Sequence, residues 1–271
     1  MRLRSKLEGF RQTRQFDNWA QVAANRIAFP NTGCIVYRLG DAEMIVDHLG
    51  GDENGLRACI ASNMYRGLLD AIHDRASIRT LLDIGANGGG FSLLAYLMEI
   101  PLQRVACVEM NPKVFGRLAF NLHQNLDGVS LCLINGAIAP KRGTIELSLG
   151  RGSTGQSLLS STLAQTSKRS AIELLTFDDV VDRAFPDAGP IDLCKVDVEG
   201  SEYQVFFGTE CKASNRVRYL IIEIHDSRDY SREALLERLK ALGFNDISPQ
   251  GGAEQGVFLL RNRTPVAGQV S

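Results

Sequence analysis

Two groups of residues in this sequence have the types and spacing for chemistry. The first is Leu81-Leu-Asp-Ile-Gly-Ala-Asn-Gly-Gly-Gly-Phe91, a short apolar run with an acidic residue near its end, a glycine-dense turn and the start of a helical pattern. Glycines in such a turn let the backbone approach a ligand closely, at the carboxyl end of a strand, where open α/β sheets bind cofactors. A loose G-x-G-x-x-G is weak evidence, and Asn87 replaces its second glycine. Asp83, two residues before Gly85, would repel a pyrophosphate but can pair with an ammonium group. D-x-G-x-N-x-G therefore favours S-adenosylmethionine over a dinucleotide. Glu109 ends the next apolar run, 24 positions after Gly85, where a carboxylate accepts both ribose hydroxyls. Asn135-Gly-Ala137 follows a third run and is placed to frame an adenine. The expected cofactor contacts are Asp83, Gly85, Ala86, Asn87, Gly89, Phe91, Glu109, Met110, Asn135, Ala137 and Asp197.

The second group is Ile191-Asp-Leu-Cys-Lys-Val-Asp-Val-Glu-Gly-Ser-Glu202, followed by Ile222-Glu-Ile-His-Asp226. Side chains alternate along a strand, so Lys195, Asp197 and Glu199 share one side, as do Glu223 and His225. Carboxylates crowded together repel unless Lys195 or a metal compensates. Displacement at a sulfonium by an alcohol needs a base to take the hydroxyl proton. His225 is the first choice, ahead of His48, His73 and His123, and Asp197 or Glu199 is the runner-up. A lone histidine is more often structural, so this reading competes with a bland one. Asp197, Glu199, Glu223 and His225 also suit Mg²⁺ or Mn²⁺, a divalent-metal alternative that is weighed but not favoured.

These residues need a scaffold that brings strand ends together. From Thr80 onward, apolar runs at Leu81–Ile84, Arg104–Val108, Val129–Ile134, Ile191–Val196 and Val217–Ile224 read as strands. Helical patterns follow the first two, at Gly90–Glu99 and Pro112–Asn125. Such alternation argues an α/β fold with a parallel sheet covered on both faces. A helix at Arg232–Leu242 precedes two late strands, Phe244–Ile247 and Val257–Leu260, whose short link requires antiparallel pairing. Gly150–Ser170 reads as a long loop. Residues 1–75 form an extension: a basic amphipathic helix, a β-hairpin turning at Gly40-Asp41 and a helical pattern over Asn54–Asp74. The first helix is expected to dock on the domain, with weak attraction to an acidic membrane surface as the sharper alternative.

Composition sets the outer bounds. The 271 residues carry 30 Lys+Arg against 31 Asp+Glu, which gives no electrostatic footprint for nucleic acid. The longest apolar stretch, Phe91–Met98, is too short to span a bilayer. Six cysteines include no C-x-x-C pair, and the basic N-terminus lacks a following apolar stretch, so a reducing cytoplasm is the expected compartment.

Together, Asp83-Ile-Gly-Ala-Asn-Gly-Gly, Glu109-Met-Asn-Pro112 with Asn121 and Asn125, Leu175-Thr-Phe-Asp-Asp179, Lys195-Val-Asp-Val-Glu-Gly-Ser-Glu202 and Ile222-Glu-Ile-His225 resemble the FkbM-type S-adenosylmethionine-dependent methyltransferases. The resemblance covers about residues 80–250. It implies a Rossmann-like class I methyltransferase domain over residues 76–265 and a seven-stranded sheet ending in an antiparallel hairpin. It also implies methyl transfer to a hydroxyl of a sugar, glycan or secondary-metabolite acceptor. Met110 departs from the E-P-x-P-like stretch common in the family, and residues 1–75 match no motif. Protein or N-methylation on the same fold, a dinucleotide-dependent oxidoreductase and a cofactor-binding scaffold are the competing readings.

Overall fold

The computed structural model describes residues 2–148, 169–208, 211–249 and 256–263. The chain opens with helices α1 (Arg2–Thr13) and α2 (Trp19–Ala28), then the hairpin β1 (Cys34–Leu39) and β2 (Ala42–Asp47), with Gly40 at φ 58° in its turn. A π-helical turn at Glu53–Arg57 leads into α3 (Ala58–Ala61) and α4 (Asn63–Asp70). The helical pattern expected over Asn54–Asp74 is thus broken, because Ser62 is extended at φ −86°, ψ 154°. Its apolar positions Leu56, Ile60, Leu68 and Ile72 are nevertheless buried. The helix α2 had no counterpart in the sequence reading.

The main domain follows as β3 (Thr80–Ile84), α5 (Gly90–Leu97), β4 (Arg104–Glu109), α6 (Pro112–Asn125), β5 (Ser130–Ile138), β6 (Gly143–Ser148), β7 (Arg169–Leu175), α7 (Phe177–Ala184), β8 (Ile191–Val196), α8 (Glu202–Gly208), β9 (Val217–Glu223), α9 (Arg232–Ala241), β10 (Phe244–Asp246) and β11 (Val257–Asn262). Its sheet runs β10-β11-β9-β8-β3-β4-β5-β7-β6. Strands β9, β8, β3, β4, β5 and β7 are parallel, while β10, β11 and β6 pair antiparallel with their neighbours. The late hairpin forms as expected. Among the described residues the sheet has nine strands rather than seven, because β6 and β7 add an edge pair. Residues 150–168 of the expected loop lie outside the described residues, and Arg169 and Ser170 belong to β7.

Period-two alternation divides the sheet into two faces. Leu81, Val105, Cys107, Leu193 and Ile221 pack toward α5, α6 and the N-terminal extension. Leu82, Ala106, Val108, Cys194 and Ile222 pack toward α7, α8 and α9. Two of these helices start from local signals. Asn111 caps α6 by accepting from the Lys113 N–H, with Pro112 at the first helical position, and Thr176 and Asp179 form a capping box on α7.

The extension is bound to the domain through α6. The Asn121 amide accepts from the Ile45 N–H at 2.7 Å and donates to the Ile45 and Gly88 carbonyls. One turn later, Asn125 makes the equivalent pair with Glu43. Arg117, one turn earlier, donates to Asp52 at 2.8 Å. Phe16, Tyr37 and Met44 from the extension share a hydrophobic core with Leu81, Val105 and Leu118.

Candidate active site

A cavity of about 310 Å³ lies over the carboxyl ends of β3, β4, β8 and β9, a size within the usual range for ligand sites. Its floor is the turn after β3, where Gly85 has φ 75° and a Cβ would stand 1.7 Å from the Asp197 carbonyl oxygen. Glycine is therefore required by the close crossing of two loops. Ala86, Asn87 and Phe91 continue this wall.

Glu109 is buried at the tip of β4 and faces the cavity. One carboxylate oxygen accepts from the Asn111 N–H at 2.7 Å, and the other from the Asn87 N–H at 3.0 Å. These bonds fix the carboxylate plane and leave a lone pair on each oxygen. Burial pushes its pKa up to about 7, against the two N–H bonds. Met110, Ala137 and Ile138 supply an apolar lobe beside it. Asn135 lies within β5, rather than after the strand as expected, and its amide donates to the Glu109 and Met110 carbonyls at 2.8 and 3.2 Å. It holds the turn that carries Glu109 and does not line the cavity.

Lys195, Asp197 and Glu199 line the opposite side. The buried Lys195 ammonium donates to the Gly85 carbonyl at 2.9 Å and lies 3.2 Å from Asp197 and 3.5 Å from Asp83. Burial opposes its charge, but the two carboxylates outweigh burial and hold the lysine above its ordinary pKa. Asp83 is fully buried and also accepts from Ser92 Oγ at 2.9 Å. The ammonium it was expected to pair with on a ligand is supplied here by Lys195, and Asp83 stays off the cavity wall. Gly89, also expected at the cofactor, instead faces Leu118 and Leu122 of α6, where a Cβ would sit 3.0–3.1 Å from their methyl groups.

His225 stands behind the cavity wall. Its Nδ1 is 3.0 Å from Glu202, and its Nε2 is 3.4 Å from Glu199 and 3.8 Å from Glu223. The hydrogen bond with Glu202 pushes the imidazole pKa up to about 9, against burial. Glu202 is fully buried and accepts the Val198 and Gly200 N–H groups, closing the turn that carries Glu199. With both ring nitrogens facing carboxylates, His225 fits a charged clamp better than the free base expected from the sequence. Glu199, in the left-handed region at φ 52°, has its pKa pushed up to about 7 by burial and by Asp197. Donor atoms of Asp197, Glu199 and His225 lie within 4.8 Å of one another, a spacing that one divalent cation could bridge.

The remaining wall comes from the extension. Cys59, Ser62, Met64 and Tyr65 line the cavity, and the buried Tyr65 hydroxyl donates to Glu223 at 2.9 Å. None of these residues stood out in the sequence, where Tyr65 is one more apolar residue in a helical pattern. The break falls at Ser62, the N-cap residue of α4, a helix-start signal that the apolar periodicity across Asn54–Asp74 masks.

The donor set fits S-adenosylmethionine. An anchored carboxylate with two open lone pairs suits the ribose diol, and Met110 and Ile138 suit an adenine face. Asp197 Oδ1 and Ser201 Oγ are buried polar atoms without a hydrogen-bond partner in the cavity's opposite wall.

A Rossmann-like sheet with a glycine turn after β3, an acidic residue at the tip of β4 and a late antiparallel hairpin has the class I methyltransferase architecture. Residues 83–245 match the Methyltransferase FkbM domain, and the chain belongs to this family of S-adenosylmethionine-dependent methyltransferases. Among solved structures, the FkbM methyltransferase from Methylobacillus flagellatus KT is 16% identical over 68% of this chain, with a TM-score of 0.43. This chain spans only 43% of that protein's length. The M. jannaschii tRNA m1G37 methyltransferase is 10% identical, covering 86% of this chain and 54% of its own, with a TM-score of 0.42. M. capricolum TrmK, solved with S-adenosyl-homocysteine, is 9% identical over 74% of this chain and 68% of its own, with a TM-score of 0.37. No curated protein matches the sequence. Among the described residues, no helix is long and apolar enough to cross a membrane.

Proposed function

We infer that this protein transfers a methyl group to a hydroxyl of a small polyhydroxylated acceptor, a sugar, glycan or secondary metabolite. The observation that carries the reading is the set of cavity-lining carboxylates at adjacent strand tips, Asp197, Glu199 and Glu223. Bound S-adenosylmethionine supplies a methyl on a sulfonium, which an alcohol attacks only as its proton leaves. Glu109 would hold the ribose and Met110 the adenine. Glu199, on the wall, accepts the hydroxyl proton, and His225 orients it from behind. Asp197 and Glu223 accept further hydroxyls of the acceptor, and the apolar residues around Phe91 exclude water.

The same charges argue against a nucleic-acid acceptor. Among the described residues lining the cavity, Lys195 is the single cation and is engaged by Asp83 and Asp197, so a phosphodiester would meet net negative charge. Six cysteines without a C-x-x-C pair suit a reducing, cytoplasmic location. The test incubates the protein with methyl-labelled S-adenosylmethionine and panels of glycans, polyols, protein extract and total RNA. Label is expected in alkali-stable ethers of the hydroxylated panel. Label confined to RNA or protein would overturn the reading. The second reading, a divalent ion on Asp197, Glu199 and His225 acidifying the acceptor hydroxyl, rests on their 4.8 Å spacing. Activity lost on EDTA treatment and restored by Mg²⁺ or Mn²⁺ would support it, and activity surviving chelation would exclude it.

A further inference from the structure

We propose that the outer surface of α1 and α2 docks the protein on an anionic lipid bilayer. Among the described side chains of the first thirty residues, five large apolar ones are exposed: Leu7 at 62%, Phe10 at 48%, Trp19 at 36%, Ile27 at 83% and Phe29 at 61%. They are not scattered. Leu7 and Phe10 lie one turn apart on α1, and Phe10 meets Trp19 of α2 edge to face, with ring centroids 6.2 Å apart. Ala20, Ala24 and Ile27 continue the apolar side of α2 beyond Trp19, while Val22 faces the core. Small exposed apolar residues are ordinary singly, whereas a contiguous ridge of aromatic and branched side chains marks an interaction surface.

Charge identifies the occupant. The first thirty residues hold six basic residues against two acidic ones, whereas the rest of the chain holds 24 against 29. Arg11, one turn after Leu7 on α1, and Arg14, just past its end, are exposed, and the Arg14 guanidinium sits 5.6 Å from the Trp19 ring centroid. Aromatic and aliphatic side chains interleaved with arginines on surface helices match the headgroup region of a bilayer bearing acidic lipids: rings enter the interface and guanidiniums meet phosphate. The surface also has a route to the active site. The inward side of α1 packs on α3, with Arg57 Nε donating to Gln12 at 3.3 Å and Gln15 donating to the Ala61 carbonyl at 2.9 Å. Ala58 and Cys59 of α3 line the cavity. Docking would place the cavity one helix away from the membrane, within reach of an amphiphilic acceptor.

The experiment is flotation of the full chain with vesicles of phosphatidylglycerol and phosphatidylcholine, and with phosphatidylcholine alone. The expected result is binding to the mixed vesicles, loss of binding in high salt and little binding to the neutral ones. Arg11→Glu with Arg14→Glu should weaken binding roughly tenfold or more. Phe10→Ser with Trp19→Ser should abolish it, with circular dichroism and S-adenosylmethionine affinity unchanged in both variants. Equal binding to neutral vesicles, no binding to the mixed ones, or charge-reversed protein that floats like wild type would overturn the proposal. So would a wild-type dimer in sedimentation that Phe10→Ser and Trp19→Ser convert to monomer, since the ridge would then be a protein interface. Vesicle binding is read without turnover, so its failure is separate from any failure to find a hydroxyl acceptor.

Discussion

At the scale of single residues, the cavity separates two carboxylates with different work. Glu109 is tethered by two backbone N–H groups, which suits the ribose-binding role proposed for it. Removing it takes away the acceptor for two hydroxyls. At roughly 1.5–3 kcal/mol for a hydrogen bond to a charged group, Glu109→Ala should weaken cofactor binding about a hundredfold or more by calorimetry. Glu199 sits in a strained turn beside His225, on the side of the cavity proposed to take the acceptor. Glu199→Gln should lower kcat by roughly 10²–10⁴, with cofactor affinity retained. His225→Ala should also lose turnover at near wild-type cofactor affinity, because Glu199 loses its clamp. If either His225 or Glu199 proves dispensable for turnover, the assignment of the proton to this pair fails. The sequence pointed to both residues because alternation along a strand needs no tertiary knowledge. The contact of His225 with Glu202 was not legible, because Glu202 comes from the start of α8 and sequence spacing does not show that a buried carboxylate will hold an imidazole.

At the scale of elements, the parallel strands and the cofactor turn were legible because local rules govern them: alternating burial, a glycine needed at positive φ, and an asparagine before proline at the start of α6. The third wall was not legible. Tyr65 and Ser62 reach the cavity only because the extension is bound to α6 by the ladder of Arg117, Asn121 and Asn125, and these contacts link residues 65 to 82 positions apart. The strands β6 and β7 were missed for a related reason, since their pairing closes across the intervening segment. Asn121→Ala would leave two carbonyls and one N–H unpaired, each costing about 1–3 kcal/mol where buried. The expected result is a Tm lowered by several degrees, together with weaker cofactor binding, because the Gly88 carbonyl belongs to the glycine turn after β3 that floors the cavity. A lower Tm with unchanged cofactor affinity would mean that the extension supports the fold without shaping the turn.

For the whole molecule, one hydrophobic core joins the extension to the sheet, so unfolding should register as a single transition whose pH dependence includes the buried site. Glu109 gives that dependence a definite sign. Burial raises it from an ordinary 4.5 to about 7. Between those values the native protein keeps a proton that the unfolded chain has released. Its contribution to stability is therefore fully present below pH 4.5 and is lost as pH rises through 7, by up to about 3 kcal/mol. Glu109→Gln removes this titration while keeping a similar shape. Calorimetry at pH 5 and pH 8 should show wild type losing stability relative to Glu109→Gln across the interval. Whatever fixed penalty the amide causes against the Asn87 and Asn111 N–H groups applies at both pH values and cancels. Ribose hydroxyls favour the ionised carboxylate, so S-adenosylmethionine should stabilise wild type more at pH 8 than at pH 5, and the variant equally at both. A wild-type advantage that does not change with pH would mean that Glu109 is ionised throughout, with its two N–H bonds outweighing burial.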